Sequence, residues 1–194
     1  MNELNPEYWN RRYLNNDIPW DAGAVTTPIK AIIDSLQDRD LKILVPGAGS
    51  GHEVAYLISK GFKNVTVCEW APAAAGRLLS RVPELAKDQV LVEDFFLLNG
   101  SFDLILEQTF FCALPRNRRE DYVQKVYELL VPGGALRGVL FSVEFPFDRP
   151  PFGGSRDEYL RLFSGKFEIR ILETCKNSIP PRSGNELEIY FVKC

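Results

Sequence analysis

From residue 41 onward, short apolar runs alternate with stretches of helical periodicity. Residues 41–46 (LKILVP) are a brief apolar run ending in glycine-rich loop chemistry, which predicts a buried strand. Residues 51–60 (GHEVAYLISK) space their apolar side chains for a helix that stops at Gly61. Residues 64–70 (NVTVCEW) predict a second, β-branched strand, with a helical stretch near 72–82 behind it. Two further strands are predicted at 89–96 (QVLVEDFF) and 102–108 (FDLILEQ). Residues 117–130 form an amphipathic helix ended by a turn at Pro132-Gly133-Gly134, and 135–145 (ALRGVLFSVEF) form the next strand.

Strand and helix in alternation predict an α/β fold, a parallel sheet with helices on both faces. Such sheets bind ligands at the carboxyl ends of their strands, near the topological switch point. The tail breaks the rhythm. Residues 166–174 (KFEIRILET) and 185–193 (NELEIYFVK) are strands whose connection has no room for a helix, so they pair antiparallel. The first 40 residues stand apart, with helices at 5–15 and 27–37 around a Pro19-Trp20-Asp21 turn. Trp9, Tyr13 and Trp20 concentrate aromatics there, which fits a lid over a flat ligand.

Length and composition keep this picture to one domain: 194 residues, 45% hydrophobic and 25% charged, the profile of a globular protein. The expected division is a lid over 1–40 and a sheet core over 41–194. A net charge of −3 without a basic stripe argues against nucleic acid as a partner. Apolar runs fall short of a membrane span and the N-terminus has no apolar signal core, so a cytoplasmic location is expected. Cys68, Cys112, Cys175 and Cys194 match no zinc or redox spacing and read as thiols, while His52 is the only histidine. A multi-histidine metal site is therefore excluded.

The chemistry concentrates at strand ends. Gly47-Ala48-Gly49-Ser50-Gly51 lies between a predicted strand and a predicted helix, where glycines allow a sharp turn and close ligand approach. A dinucleotide fingerprint needs glycine at its sixth position, which here is His52, and no Walker lysine follows. The loop suits a nucleoside carrying an amino-acid tail, S-adenosylmethionine. Glu69, 22 residues after Gly47, is placed to accept ribose hydroxyls, which by itself does not separate this ligand from NAD. Asp94 beside Phe95 discriminates better: the acid takes an adenine amino group while the ring packs on the base.

Together these stretches resemble the thiopurine S-methyltransferase superfamily, and within it the halide and thiol methyltransferases. The resemblance is carried by Trp9-x3-Tyr13, Pro19-Trp20-Asp21-x-Gly23, Val45-Pro46-Gly47-Ala48-Gly49-x-Gly51-His52, Glu93-Asp94-Phe95-Phe96, Phe110-Phe111-Cys112-Ala113, Pro132-Gly133-Gly134 and Ser178-Ile179-Pro180-x-Arg182. It implies a Rossmann-like class I methyltransferase with a seven-stranded, mostly parallel sheet and a C-terminal antiparallel strand. It also implies S-adenosylmethionine held by Trp9, Tyr13, Trp20, Gly47, Gly49, Glu69, Asp94, Phe95 and Gln108, with S-adenosylhomocysteine as product. The sequence departs from the family at Ala48, Glu69 and Gln108, where Cys, Asp and Tyr are usual.

The acceptor pocket is expected beyond the fourth strand, bounded by Phe110, Phe111, Phe145 and Phe152. Arg182 is the preferred anion-holding group over Arg149, and Cys112 reads as packing. A thiolate, hydrosulfide or halide needs no strong general base, which fits the lack of a catalytic triad in the sequence. The expected activity is therefore methylation of a small thiol, thiopurine-like, hydrosulfide or halide acceptor by in-line displacement, in a monomer or weak homodimer. The alternatives are an NAD-dependent reductase and a non-catalytic S-adenosylmethionine-binding protein.

Overall fold

The computed structural model describes residues 4–194. Four consecutive buried residues make β1 (Ile43–Pro46) the spine of the sheet. It pairs in parallel with β2 (Val65–Cys68) on one side and β4 (Phe102–Gln108) on the other. β3 (Val90–Leu91) extends the β2 side, and β5 (Leu130–Phe141) extends the β4 side, both parallel. β7 (Glu186–Lys193) then runs antiparallel between β5 and β6 (Phe167–Thr174). The order is β3-β2-β1-β4-β5-β7-β6, so the chain reverses its direction of growth between β1 and β4. That is the switch point at which a ligand crevice opens.

Alternation along the strands divides two cores. Ile43, Val45, Leu104 and Leu106 face α2 (Thr27–Ser35), α3 (His52–Ser59) and α4 (Pro72–Arg81). Leu44 and Ile105 face α5 (Arg119–Leu129) and α6 (Arg156–Phe163) on the opposite side. Leu44 has no exposed surface, so trimming it to alanine costs about 2–5 kcal/mol. Among the described residues no helix is long and apolar enough to cross a membrane.

Of the first 40 residues, α2 is part of this core, with Ile29 and Ile33 wholly buried. The rest sits elsewhere. α1 (Pro6–Leu14) packs on α4: Asn10 Oδ1 accepts from Ala73 N at 2.8 Å, and Arg77 donates to the Tyr13 carbonyl. Among the described residues, α1 with Leu4 before it and the turn after it lie over the strand ends.

Several boundaries differ from the pattern read in the sequence. The strand expected over 89–96 shrinks to β3, because Asp94 Oδ1 accepts from Phe96 N at 2.9 Å and turns the chain out of the sheet. The helix expected over 117–130 begins after a 3-10 turn and stops at Leu129. Pro132-Gly133-Gly134 is a bulge inside β5, not the helix stop: the register jumps from Phe102↔Leu130 to Leu104↔Ala135. The same strand ends at Phe141, short of Phe145. The sequence reading passed over α6, which Ser155 caps by accepting from Glu158 N at 3.3 Å.

Candidate active site

Parallel strands deliver their carboxyl ends to one edge of the sheet, about 4.8 Å apart. In spatial order these ends carry Glu93 and Asp94 after β3, Glu69 after β2, Gly47 after β1, Thr109 and Phe110 after β4, and Phe145 beyond β5. From β3 to β5 the row spans about 19 Å. A cavity of about 410 Å³ runs along it, lined by all of these residues.

Aromatic side chains roof the cavity. The Trp20 ring meets Trp9 edge-on at 5.5 Å and Tyr13 at 5.9 Å, and its indole N–H donates to the Tyr13 hydroxyl at 3.2 Å. Asp21 ties the following turn to the glycine loop, accepting from Ser50 Oγ at 2.5 Å and pairing with His52 Nε2 at 2.8 Å. Burial pushes the Asp21 carboxyl up, but hydrogen bonds from Ser50, Gly23 and His52 outweigh it and hold it below the usual range. Arg182 closes the roof from the other end of the chain, donating from Nη2 to the Trp20 carbonyl at 2.7 Å.

The glycine loop is conformationally specific. Gly47 has φ +58° and Gly49 φ +54°, a region that side chains avoid. A Cβ on Gly49 would stand 2.5 Å from the Tyr13 hydroxyl, and one on Gly47 2.5 Å from the Phe110 ring. Glu69 pins the loop: Oε2 accepts from Gly49 N and Oε1 from Ala71 N, each at 2.9 Å. Each carboxylate oxygen keeps a second lone pair for a ligand. Burial pushes Glu69 upward even so.

The residues singled out in the sequence divide into three groups. Trp9, Tyr13, Trp20, Gly47, Glu69, Asp94 and Phe95 line the cavity, as do Phe110, Phe145 and Arg182. Gly49 and Gln108 instead line an adjoining chamber of about 50 Å³, which shares Tyr13, Trp20, Gly47, Thr109 and Arg182 with the main cavity. Gln108 is held there by Thr26, its amide nitrogen donating to Oγ1 at 2.7 Å. Phe111 and Phe152 line neither. Phe111 points into the core against Tyr122 and Tyr159, at 5.0 and 5.7 Å, because the 3-10 turn after Phe110 rotates it inward. Phe152 is drawn aside by its backbone, which donates to the Cys112 carbonyl at 2.7 Å.

Other cavity residues carried little signal in the sequence. Cys112, read as packing, lines the wall, yet burial pushes its thiol up and Sγ donates to the Thr109 carbonyl at 3.4 Å. It is no nucleophile. Arg118 lies 3.9 Å over the Phe96 ring, paired with Asp121 at 2.7 Å. Beneath the acceptor wall, Glu107 is fully buried and accepts from Phe110 N at 3.0 Å and Phe111 N at 2.9 Å.

Charge is distributed unevenly along the cavity. Its carboxylates, Glu69, Glu93 and Asp94, all follow β2 and β3. Among the described lining residues that follow β4 and β5, the groups that ionise are Cys112, Arg118, Arg149 and Arg182. That half has cations and apolar walls but no base.

Known proteins resemble this chain in sequence and in fold. Residues 4–189 match the family model described as Thiopurine S-methyltransferase (TPMT). A "Probable thiol methyltransferase 2" of Arabidopsis thaliana is 29% identical over 191 residues, covering 96% of this chain and 84% of the relative. A "Thiopurine S-methyltransferase" of Acinetobacter baylyi is 26% identical, covering 86% of this chain and 87% of the relative. Among solved structures, the 1,6-didemethyltoxoflavin-N1-methyltransferase of Burkholderia thailandensis, with its bound substrate and S-adenosylhomocysteine, aligns with TM-score 0.77. At 19% identity over 97% of this chain and 86% of that one, the likeness is one of fold.

Proposed function

We propose that this chain, which belongs to the thiopurine S-methyltransferase family and is an S-adenosylmethionine-dependent methyltransferase, methylates the sulfur of a small thiol or a comparable soft nucleophile such as hydrosulfide or halide. The observation that carries the reading is the uneven charge of the cavity, acidic beyond β2 and β3 and apolar with arginines beyond β4 and β5.

The residues suit the methyl donor. A cavity of about 410 Å³ falls within the ~300–1,000 Å³ common for small-molecule sites. In this reading the free lone pairs of Glu69 take the ribose hydroxyls, Asp94 accepts the adenine amino group, and Phe95 packs on the base. Gly47 and Gly49 bring backbone close to the amino-acid end. When bound, S-adenosylmethionine supplies an electrophilic methyl carbon on a sulfonium, whose positive charge vanishes on transfer. The Tyr13 and Trp20 rings face a cation favourably, so they stabilise the donor before reaction and shield it from water.

On the acceptor side the chain contributes position rather than proton transfer. Phe110 and Phe145 bound the space in which the nucleophile approaches in line, at about 3–3.5 Å. Arg182, at the junction of both chambers, bounds the space on the side where the sulfur approaches. A thiolate is already a competent nucleophile, so no general base is required. The proton leaves to solvent, the new carbon–sulfur bond forms, and the electron pair of the broken bond stays on the donor sulfur.

An NAD-dependent reductase and a non-catalytic binding protein have no support in the fold or the family. The test is release of S-adenosylhomocysteine with hydrosulfide, thiophenol, a thiopurine and iodide. Turnover with a thiol is expected. Silence across the panel, with donor binding intact, would overturn the reading.

A further inference from the structure

We propose that Glu186 determines acceptor specificity: it cancels the charge of Arg182 and so turns the site toward thiols that enter neutral and away from permanently charged inorganic anions. The inference rests on the methyl-transfer reading, which it narrows to a substrate class.

The two side chains pair in the interior. Glu186 begins β7 directly across from Phe141, and its side chain is only 2% exposed. Its Oε1 lies 3.6 Å from Arg182 Nη1, close enough for charges to compensate but beyond a good hydrogen bond. Both Arg182 Nη1 and Glu186 Oε2 are buried without a hydrogen-bond partner. Arg182 is fixed by its other nitrogen, on the Trp20 carbonyl. At the junction the guanidinium thus belongs to a pair whose net charge is close to zero, with Nη1 covered on the Glu186 side. A full anion gains little from the pair and still loses its hydration.

Nothing nearby restores the missing positive charge. Arg149 is exposed and stacks 4.4 Å over Phe147, where solvent and salt screen it, and Arg118 is paired with Asp121 at 2.7 Å. Phe110, Phe141 and Phe145 make the remaining wall apolar. A neutral aryl or alkyl thiol enters such a space without dehydrating a charge, passes its proton to solvent, and then attacks as the thiolate.

The test compares wild type with Glu186→Gln, which keeps volume and removes the negative charge. Thiocyanate binding to the complex with S-adenosylhomocysteine is read by calorimetry, and the kcat/KM ratio of thiocyanate to thiophenol by product release. In E186Q thiocyanate binds about tenfold tighter and the ratio rises by a similar factor. Adding Arg182→Gln abolishes both gains. Unchanged thiocyanate affinity in folded E186Q would overturn the proposal. If E186Q does not fold, wild type decides: preference for thiophenol supports the proposal, and preference for thiocyanate or iodide overturns it. Failure of methyl transfer itself reads differently, as no product from any acceptor, while the thiocyanate affinities still report on Glu186.

Discussion

The Tyr122 hydroxyl of α5 donates to Glu107 Oε2 of β4 at 2.6 Å, in a site with no solvent exposure. The other carboxylate oxygen holds the backbone of Phe110 and Phe111, so this contact links the helix layer to the wall of the acceptor space. Burial pushes Glu107 up to about 7, against the opposing pull of these three hydrogen bonds.

Folded protein therefore binds this proton more tightly than the unfolded chain. Stability falls as pH rises from the ordinary glutamate range to about 7 and is flat above, by on the order of 3 kcal/mol from this group. Glu107→Gln imitates the protonated form: its carbonyl accepts both N–H groups and its amide donates to Tyr122. Urea titrations from pH 4.5 to 8 should show E107Q losing less stability than wild type as pH rises, and exceeding it above pH 7. Parallel curves for the two proteins would refute the assignment.

Gly49 and Gly61 separate contact from backbone strain. Both have positive φ, +54° and +87°, but a Cβ on Gly61 meets nothing within 4 Å while one on Gly49 meets Tyr13. Each alanine substitution costs about 1–2 kcal/mol in backbone conformation. Gly49→Ala also displaces Tyr13 from the roof, so S-adenosylhomocysteine affinity falls at least tenfold, measured by calorimetry. Gly61→Ala stays within twofold of wild type.

Asp94→Ala removes the proposed adenine acceptor and the side-chain bond to Phe96 N together. Affinity for S-adenosylhomocysteine should fall by about ten- to a hundredfold, as for a lost hydrogen bond of about 1.5–3 kcal/mol to a charged group. Unchanged affinity would remove Asp94 from the adenosine site.

What the sequence made legible follows contact distance along the chain. β4 occupies residues 102–108 as its pattern predicts, and the antiparallel tail pairs as its short connection requires. The glycine loop, Glu69 and Asp94 were visible because strand ends in a parallel sheet converge on one edge. The Arg182–Trp20 contact joins residues 162 positions apart, and no local pattern encodes it. Glu107 sat inside an apolar strand pattern whose register alone does not reveal the tyrosine beneath it. Phe111 and Phe152 were misplaced because a 3-10 turn and a backbone hydrogen bond redirect rings that spacing alone puts beside Phe110 and Phe145.

The central claim is methyl transfer to sulfur without a base from the protein. Its most direct test is the pH dependence of S-adenosylhomocysteine release with a series of aryl thiols of graded acidity. The account predicts product with these thiols and an inflection in kcat/KM that moves with the pKa of each thiol. An inflection that stays at one pH for every thiol would place a base on the protein, and absence of product with every thiol would contradict sulfur as the acceptor.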